Sequence, residues 1–148
     1  MLSLEAIYSM WHHDSPIDEN NLDAASIQSA KLHSKYIEIW SMYKLQVKKR
    51  DMEFQILLKN KYLWYNGKMS KDQMDELGWE YDALNGLKIL KGDMHYFYDS
   101  DTHIQEALAK IEYLKNTVEV LKEILDNIKW RHSNIKNAMD WRKFVSGV

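Results

Sequence analysis

Lys44, Lys48, Lys49, Arg50, Lys59, Lys61 and Lys68 are interleaved with the rings of Tyr43, Phe54, Tyr62, Trp64 and Tyr65 in a single stretch of the sequence. Ammonium groups neutralise phosphates and flat rings stack on bases, so this mixture has the chemistry to hold a single nucleic-acid strand. The plain alternative is that the rings are core and the lysines wet an ordinary helix face, and composition alone leaves both open. The formal net charge of -2 hides how local the basic character is. Residues 1–30 carry five acids and no Lys or Arg, residues 31–68 nine Lys/Arg against three acids, residues 69–101 three against eight, and residues 102–148 eight against six. A basic segment therefore lies between acidic flanks.

Other chemistry is poorly supported. His12-His13-Asp14 invites a metal reading. Neighbouring helical positions diverge by about 100°, however, and Pro16 stands where a ligand one turn after His12 would be needed. His33, His95, His103 and His132 are scattered, with no H-E-x-x-H spacing among them. Glu119 and Glu123 lie one turn apart but alternate with Lys115 and Lys122, as on solvated helix faces. No glycine-rich phosphate loop, nucleophile elbow or dinucleotide fingerprint occurs. The lack of cysteine removes disulfides, thiolate nucleophiles and Cys-based metal sites. The expectation is a binding protein with no catalytic residues, no metal and no cofactor; a small metal-dependent enzyme would have to show bound metal.

One proline and five glycines in 148 residues predict few, long elements, and the 45% hydrophobic content predicts a folded chain. The expected class is all-α: two long helices plus short helical pieces. The first long helix is predicted from about Leu22 to Tyr65, capped by Asp18 or Asn20, with a stripe of Leu32, Tyr36, Trp40, Tyr43, Val47, Phe54, Leu57 and Leu58. Asn66-Gly67 ends it, Ser70-x-x-Gln73 opens a short helix, and Gly78, Gly86 and Gly92 break residues 78–98 into short pieces. The second long helix starts at Asp99-Ser100-Asp101 with the seam Ile104, Ala107, Ile111, Leu114, Val118, Leu121, Leu125 and Ile128, into which His132 intrudes. So wide an apolar stripe in so small a chain is expected to meet other copies, with Ile111, Leu114, Val118, Leu121, Leu125 and Ile128 as oligomerisation residues. The expected organisation is one domain, 1–148, divided into an N-terminal binding region (residues 1–68), an irregular acidic connector (residues 69–101) and an oligomerisation helix (residues 102–148). Met1–Trp11 is too short, and too broken by Glu5 and Ser9, for a signal peptide or membrane span, so a soluble, intracellular protein is expected.

The stretch Leu58-Lys59-Asn60-Lys61-Tyr62-Leu63-Trp64-Tyr65-Asn66-Gly67 resembles the recombination mediator UvsY family of T-even-type phages, whose matching stretch reads L-K-x-R-x-x-x-Y-x-G. The resemblance runs back through Ile17-Asp18, Leu22, Ser34-Lys35 and Lys44, and resumes at Asp140-x-Arg142-x-Phe144. It departs at Lys61, which stands for an arginine and lacks the planar fork, and it does not extend over residues 69–101. It implies a protein that binds single-stranded DNA and helps a RecA-like recombinase displace single-stranded-DNA-binding protein, using no nucleotide of its own. It further implies a ring- or barrel-like homo-oligomer, hexameric or heptameric, in the cytoplasm of an infected bacterial host. Lys59 and Lys61 would carry DNA binding, with Lys44, Lys48 and Lys68 in support. One geometric tension is visible already, since two residues apart on a regular helix means side chains about 200° apart. A purely structural coiled-coil scaffold or assembly protein without a nucleic-acid role is the alternative.

Overall fold

Nothing between Leu22 and Tyr65 can stop a helix, and none stops there. The computed structural model describes residues 1–147, and among them it contains five helices and no strand. These are α1 (Leu4–Asp14), α2 (Leu22–Tyr65), α3 (Lys71–Leu77), α4 (Met94–Ser100) and α5 (Thr102–Ser146). Ser3 caps α1 by accepting the Ala6 N–H at 3.1 Å. Asp18 does not cap α2. Its carboxylate takes the Asn20 N–H at 2.9 Å and shapes the turn, and the Asn21 carbonyl accepts the first helical bond, from Ala25. At the far end Gly67, at φ +67°, lets the Lys68 N–H reach the Leu63 carbonyl and its own N–H reach Trp64, a paired C-terminal bonding pattern that only a left-handed residue permits. Ser70 caps α3 through the Gln73 N–H, as its spacing predicts.

Contacts group the chain into two units: residues 1–45 with the chain from Leu114 onward, and Gln46–Tyr113. Within each unit antiparallel helices bring distant parts of the sequence side by side. In the first unit Leu22, Ala25 and Ile135 form a buried cluster backed by Ile17 and Ala138, while Arg131 Nε donates to Ser29 Oγ at 3.2 Å. In the second, Tyr65 and Lys61 of α2 meet Asp101 and His103 at the start of α5.

The first unit is pinned at Asp14, from the His12-His13-Asp14 run. Its carboxylate takes the Lys35 ammonium at 2.6 Å and the Tyr36 hydroxyl at 2.9 Å, and Trp11 packs edge-on against Tyr36 at 5.4 Å. Burial acts to raise the Asp14 carboxyl, but the bonds from Lys35 and Tyr36 and the Lys35 charge outweigh it, so the group sits below its ordinary range. Burial, then the bond to Asp14, pushes the Tyr36 hydroxyl far above its own. His12 and His13 are exposed, and no cluster of His, Asp and Glu suited to a metal exists among the described residues.

The α5 seam has a different use from the one expected. Ile111 and Leu114 at the two units' common boundary in sequence, and Leu121, Leu125 and Ile128 beyond it, are already buried within the single chain; Val118 is half-buried and Thr117 is buried beside it. Within the single chain these residues, Val118 apart, are core and leave little surface for contacts between copies. The seam also shifts: Arg131, not His132, follows Ile128 inward, and its Nη1 donates to the Ser15 carbonyl at 2.6 Å. On the first long helix Leu32, Tyr36 and Tyr43 are buried, while Arg50 turns outward to Glu53 at 3.2 Å.

Leu121→Asp should therefore unfold the first unit rather than release intact subunits, because an unpaired carboxylate in a core costs several kcal/mol. Urea unfolding followed by circular dichroism checks this: undiminished stability with a smaller particle mass would return the seam to an interface. Asp14→Asn should remove an acid-sensitive part of the stability. The depressed carboxyl stabilises the fold above the ordinary carboxylate pKa and ceases to do so as pH falls through its own lower value. Wild type should lose more stability than the variant between neutral pH and that acid window, measured by thermal melts across pH.

Candidate nucleic-acid interface

The basic stretch of α2 divides into one buried cation and several exposed ones, and helical geometry decides which is which. α2 remains regular to Tyr65, so Lys59 and Lys61 point to opposite sides. Lys59 is exposed, whereas Lys61 is 1% exposed. The Lys61 ammonium lies 3.1 Å from Asp101 Oδ2 and 2.7 Å from His103 Nδ1, and 4.4 and 4.0 Å from the ring centres of Trp64 and Trp79. Three N–H donors thus meet a carboxylate, an imidazole nitrogen that accepts, and two π faces. A buried charge is tolerated only when satisfied in this way.

Asp101 is the centre of this cluster. It accepts the Tyr65 hydroxyl at 2.6 Å as well as Lys61, and its Oδ1 accepts the Ile104 N–H at 3.0 Å, which caps α5. Burial acts to raise its carboxyl, yet the bonds from Tyr65, Ile104 and Lys61 together with the Lys61 charge hold it below the usual range. The Tyr65 hydroxyl is driven far upward by burial and then by Asp101. Around them Trp64 packs on Trp79 at 5.3 Å, Tyr65 on Phe97 at 5.8 Å, and the Trp64 indole N–H donates to the Glu80 carbonyl at 2.7 Å. Trp79 stacks on His103 at 5.9 Å.

Lys61 is consequently not a surface cation, which corrects its placement among the phosphate contacts. The other sequence-predicted cations are outward. In the first unit Lys44 is exposed and lies 4.4 Å over the Trp40 ring. In the second, Lys48, Lys59 and Lys68 are exposed, and Lys68 lies 5.5 Å from the centre of the exposed Tyr62 ring. Among the described residues no carboxylate lies within ion-pair distance of these four. Of the five rings interleaved with these cations, Tyr62 is exposed, Tyr43 is buried and Phe54 half-buried, and Trp64 and Tyr65 are half-buried and committed to the cluster around Lys61. Asp101, His103 and Trp79 are the residues that sequence reasoning missed. Asp101 alone left a signal, as part of the Asp-Ser-Asp helix start.

No helix among the described residues is long and apolar enough to cross a membrane. The chain is similar in structure to the recombination mediator protein UvsY of bacteriophage T4 in more than one crystal lattice. One match has a TM-score of 0.84 at 20% identity over 99% of each chain. A second has a TM-score of 0.82 at 21% identity, covering 97% of this chain and 99% of the other. No curated protein sequence matches it. Residues 10–148 match the family model described as "Recombination, repair and ssDNA binding protein UvsY". The chain belongs to the UvsY family.

Proposed function

We propose that the protein binds single-stranded DNA through the exposed cations Lys44, Lys48, Lys59 and Lys68 and acts as a recombination mediator. In that role it loads a RecA-like recombinase onto strands covered by single-stranded-DNA-binding protein, in the cytoplasm of an infected bacterial host. The observation that carries this reading is a set of outward ammonium groups on α2 and just beyond it that no carboxylate neutralises, in a chain of this family. Such groups release condensed counterions when they meet phosphates. Tyr62 supplies an open ring beside Lys68 on which a base can stack.

Lys61 contributes by position. Its charge is spent on Asp101, and its cage fixes the end of α2 from which Tyr62 and Lys68 project. A ring- or barrel-like homo-oligomer, hexameric or heptameric as the family resemblance implies, fits apolar side chains left in solvent. In the first unit these include Ile27, Ile37 and Leu45, and the stacked pair Trp141 and Phe144. No residue here is assigned to catalysis.

Recombinase ATP turnover on coated single strands should rise when the protein is added, while the protein alone turns over no ATP. Equal turnover across a titration with cognate partners would leave only the structural scaffold. The two lysines of the motif should separate cleanly in fluorescence titrations with oligo-dT at several salt concentrations. Lys59→Ala should weaken binding and flatten the dependence of log affinity on log salt by about 0.7 per contacting subunit, with unchanged thermal stability. Lys61→Met should leave that slope intact but lower stability by ~3–5 kcal/mol, because Asp101 is left buried and unpaired. Adding Asp101→Asn to Lys61→Met should recover part of that loss. A Lys61 variant of native stability with a flattened slope would restore Lys61 as a phosphate contact.

A further inference from the structure

The acidic segment 69–101 plays no part in the proposed DNA binding, and the second unit presents it in an unusual state. Its three lysines face eight acids, a net of -5. Asp101 is satisfied internally by Lys61, but Asp72, Asp75, Glu76, Glu80, Asp82 and Asp99 are exposed and Asp93 is half-buried, and none forms an ion pair among the described residues. Asp75 only accepts the Tyr81 hydroxyl, and Asp82 only the N–H groups of Leu84 and Gly86, at 3.3 and 3.1 Å. These neutral donors shape the loop and leave the charge uncompensated.

Large apolar side chains stand in solvent among these acids. Leu87 is 76% exposed and Leu90 72%, and Tyr81 is exposed as well. Tyr81 and Leu87 border an open cleft of about 450 Å³ walled by Trp64 and Tyr65 of α2 and by the loop up to Ile89, whose charged members are Asp82 and Lys88. That space accepts a Leu- to Trp-sized side chain. The Asp82 carboxylate accepts the Leu84 and Gly86 N–H groups, Asn85 and Gly86 take positive φ, and the Trp64 indole donates to the Glu80 carbonyl, so these bonds shape the loop beside α2.

We propose that residues 75–90 form a docking surface for a basic segment of a partner protein, which seats one large apolar side chain in this cleft. Charge selects the occupant. Uncompensated carboxylates repel phosphates within a Debye length of about 10 Å at 0.1 M salt, so a nucleic-acid strand is disfavoured. A lysine- or arginine-rich segment is drawn to the same field, which also raises its association rate. The exposed leucines then supply the apolar burial that charge alone does not. Phosphate-facing lysines on α2 and a cation-seeking connector thus give one chain two chemically opposite surfaces.

The test uses the full-length assembled protein and two short synthetic peptides, each carrying one benzoylphenylalanine. The first combines lysines with leucines at helical spacing, and the second replaces every lysine by glutamate. The lysine peptide should bind in a salt-sensitive manner and photo-crosslink within residues 75–90. Leu87→Ser should weaken it about tenfold or more, as expected for losing one well-buried leucine contact, and so should Glu76→Lys with Asp82→Asn. Circular dichroism should show native helicity in each variant, since all three side chains stand in solvent. Oligo-dT affinity should be unchanged by Leu87→Ser and should not fall when the peptide is bound. Equal binding of the glutamate peptide, crosslinks outside this segment, or indifference to Leu87→Ser would each overturn the proposal. Loss of oligo-dT affinity in Leu87→Ser would overturn it too, by giving the cleft to nucleic acid.

Discussion

The second unit depends on one buried ion pair. Lys61 and Asp101 lie 42 and 36 residues from their other partners, His103 and Tyr65 respectively, yet all four side chains converge. A lysine inside a protein is unfavourable unless its charge and all its donors are met, so the surrounding residues are constrained rather than merely present. Trp64 and Trp79 must offer their faces, His103 must offer a bare nitrogen, and Asp101 must stay ionised. Asp101 simultaneously caps α5, so the residue that neutralises Lys61 also sets where the second long helix begins. Breaking the pair would therefore disturb a helix start, an aromatic cage and the end of α2 together.

This constraint changes how the basic motif is understood. By residue type Lys59 and Lys61 look like equals, and both fall in the stretch that resembles the family. On a regular helix they cannot serve the same surface, and the chain uses the two directions differently. Lys59 keeps its charge for solvent, whereas Lys61 gives up its charge to organise the scaffold. In the proposed binding the buried member would act through position, because Tyr62 and Lys68 flank the cage and the Gly67 turn comes directly after it. Loss of binding on mutating a lysine here is consequently no proof of a phosphate contact. A salt slope distinguishes contact from support, since only a contact releases counterions.

Much of the fold is legible in the sequence, for reasons tied to particular residues. The interval without Gly or Pro predicts α2 to its observed ends, and Gly67, Ser70 and Gly78 mark the turns through left-handed conformations and a capping hydroxyl. The apolar repeat of α5 is equally plain, but periodicity reports that a face is buried, not what buries it. The length of the helix points the seam from Ile111 to Ile128 toward neighbouring copies, whereas other stretches of the same chain cover it. The register error at His132 has a related origin. The heptad continues by a step of four to 132, whereas the buried face takes a step of three from Ile128 to Arg131, which reaches the Ser15 carbonyl. The Lys61 cage cannot be read from the sequence at all, since its members are far apart along the chain and each has an ordinary solvated reading alone.

Charge organises the molecule at three levels that a net value of -2 conceals. Inside, Lys61 with Asp101 and Lys35 with Asp14 join distant segments, and depressed carboxyl pKa values show that the ionised form is the one each fold element favours. On α2, exposed lysines without carboxylate partners leave positive charge open to solvent. On the connector, acids without cationic partners do the reverse. Simple pairing of these surplus charges within the chain would stabilise it slightly, because exposed pairs are worth only about 0–1 kcal/mol. Leaving them unpaired therefore costs the fold little, while each surface keeps its full field for an external ligand of opposite sign. The apolar side chains exposed at Tyr81, Leu87 and Leu90 sharpen the contrast, since they add contact area on the acidic side. If α2 takes the strand and the connector a basic protein segment, as proposed, opposite fields would let one chain hold both ligands without competition.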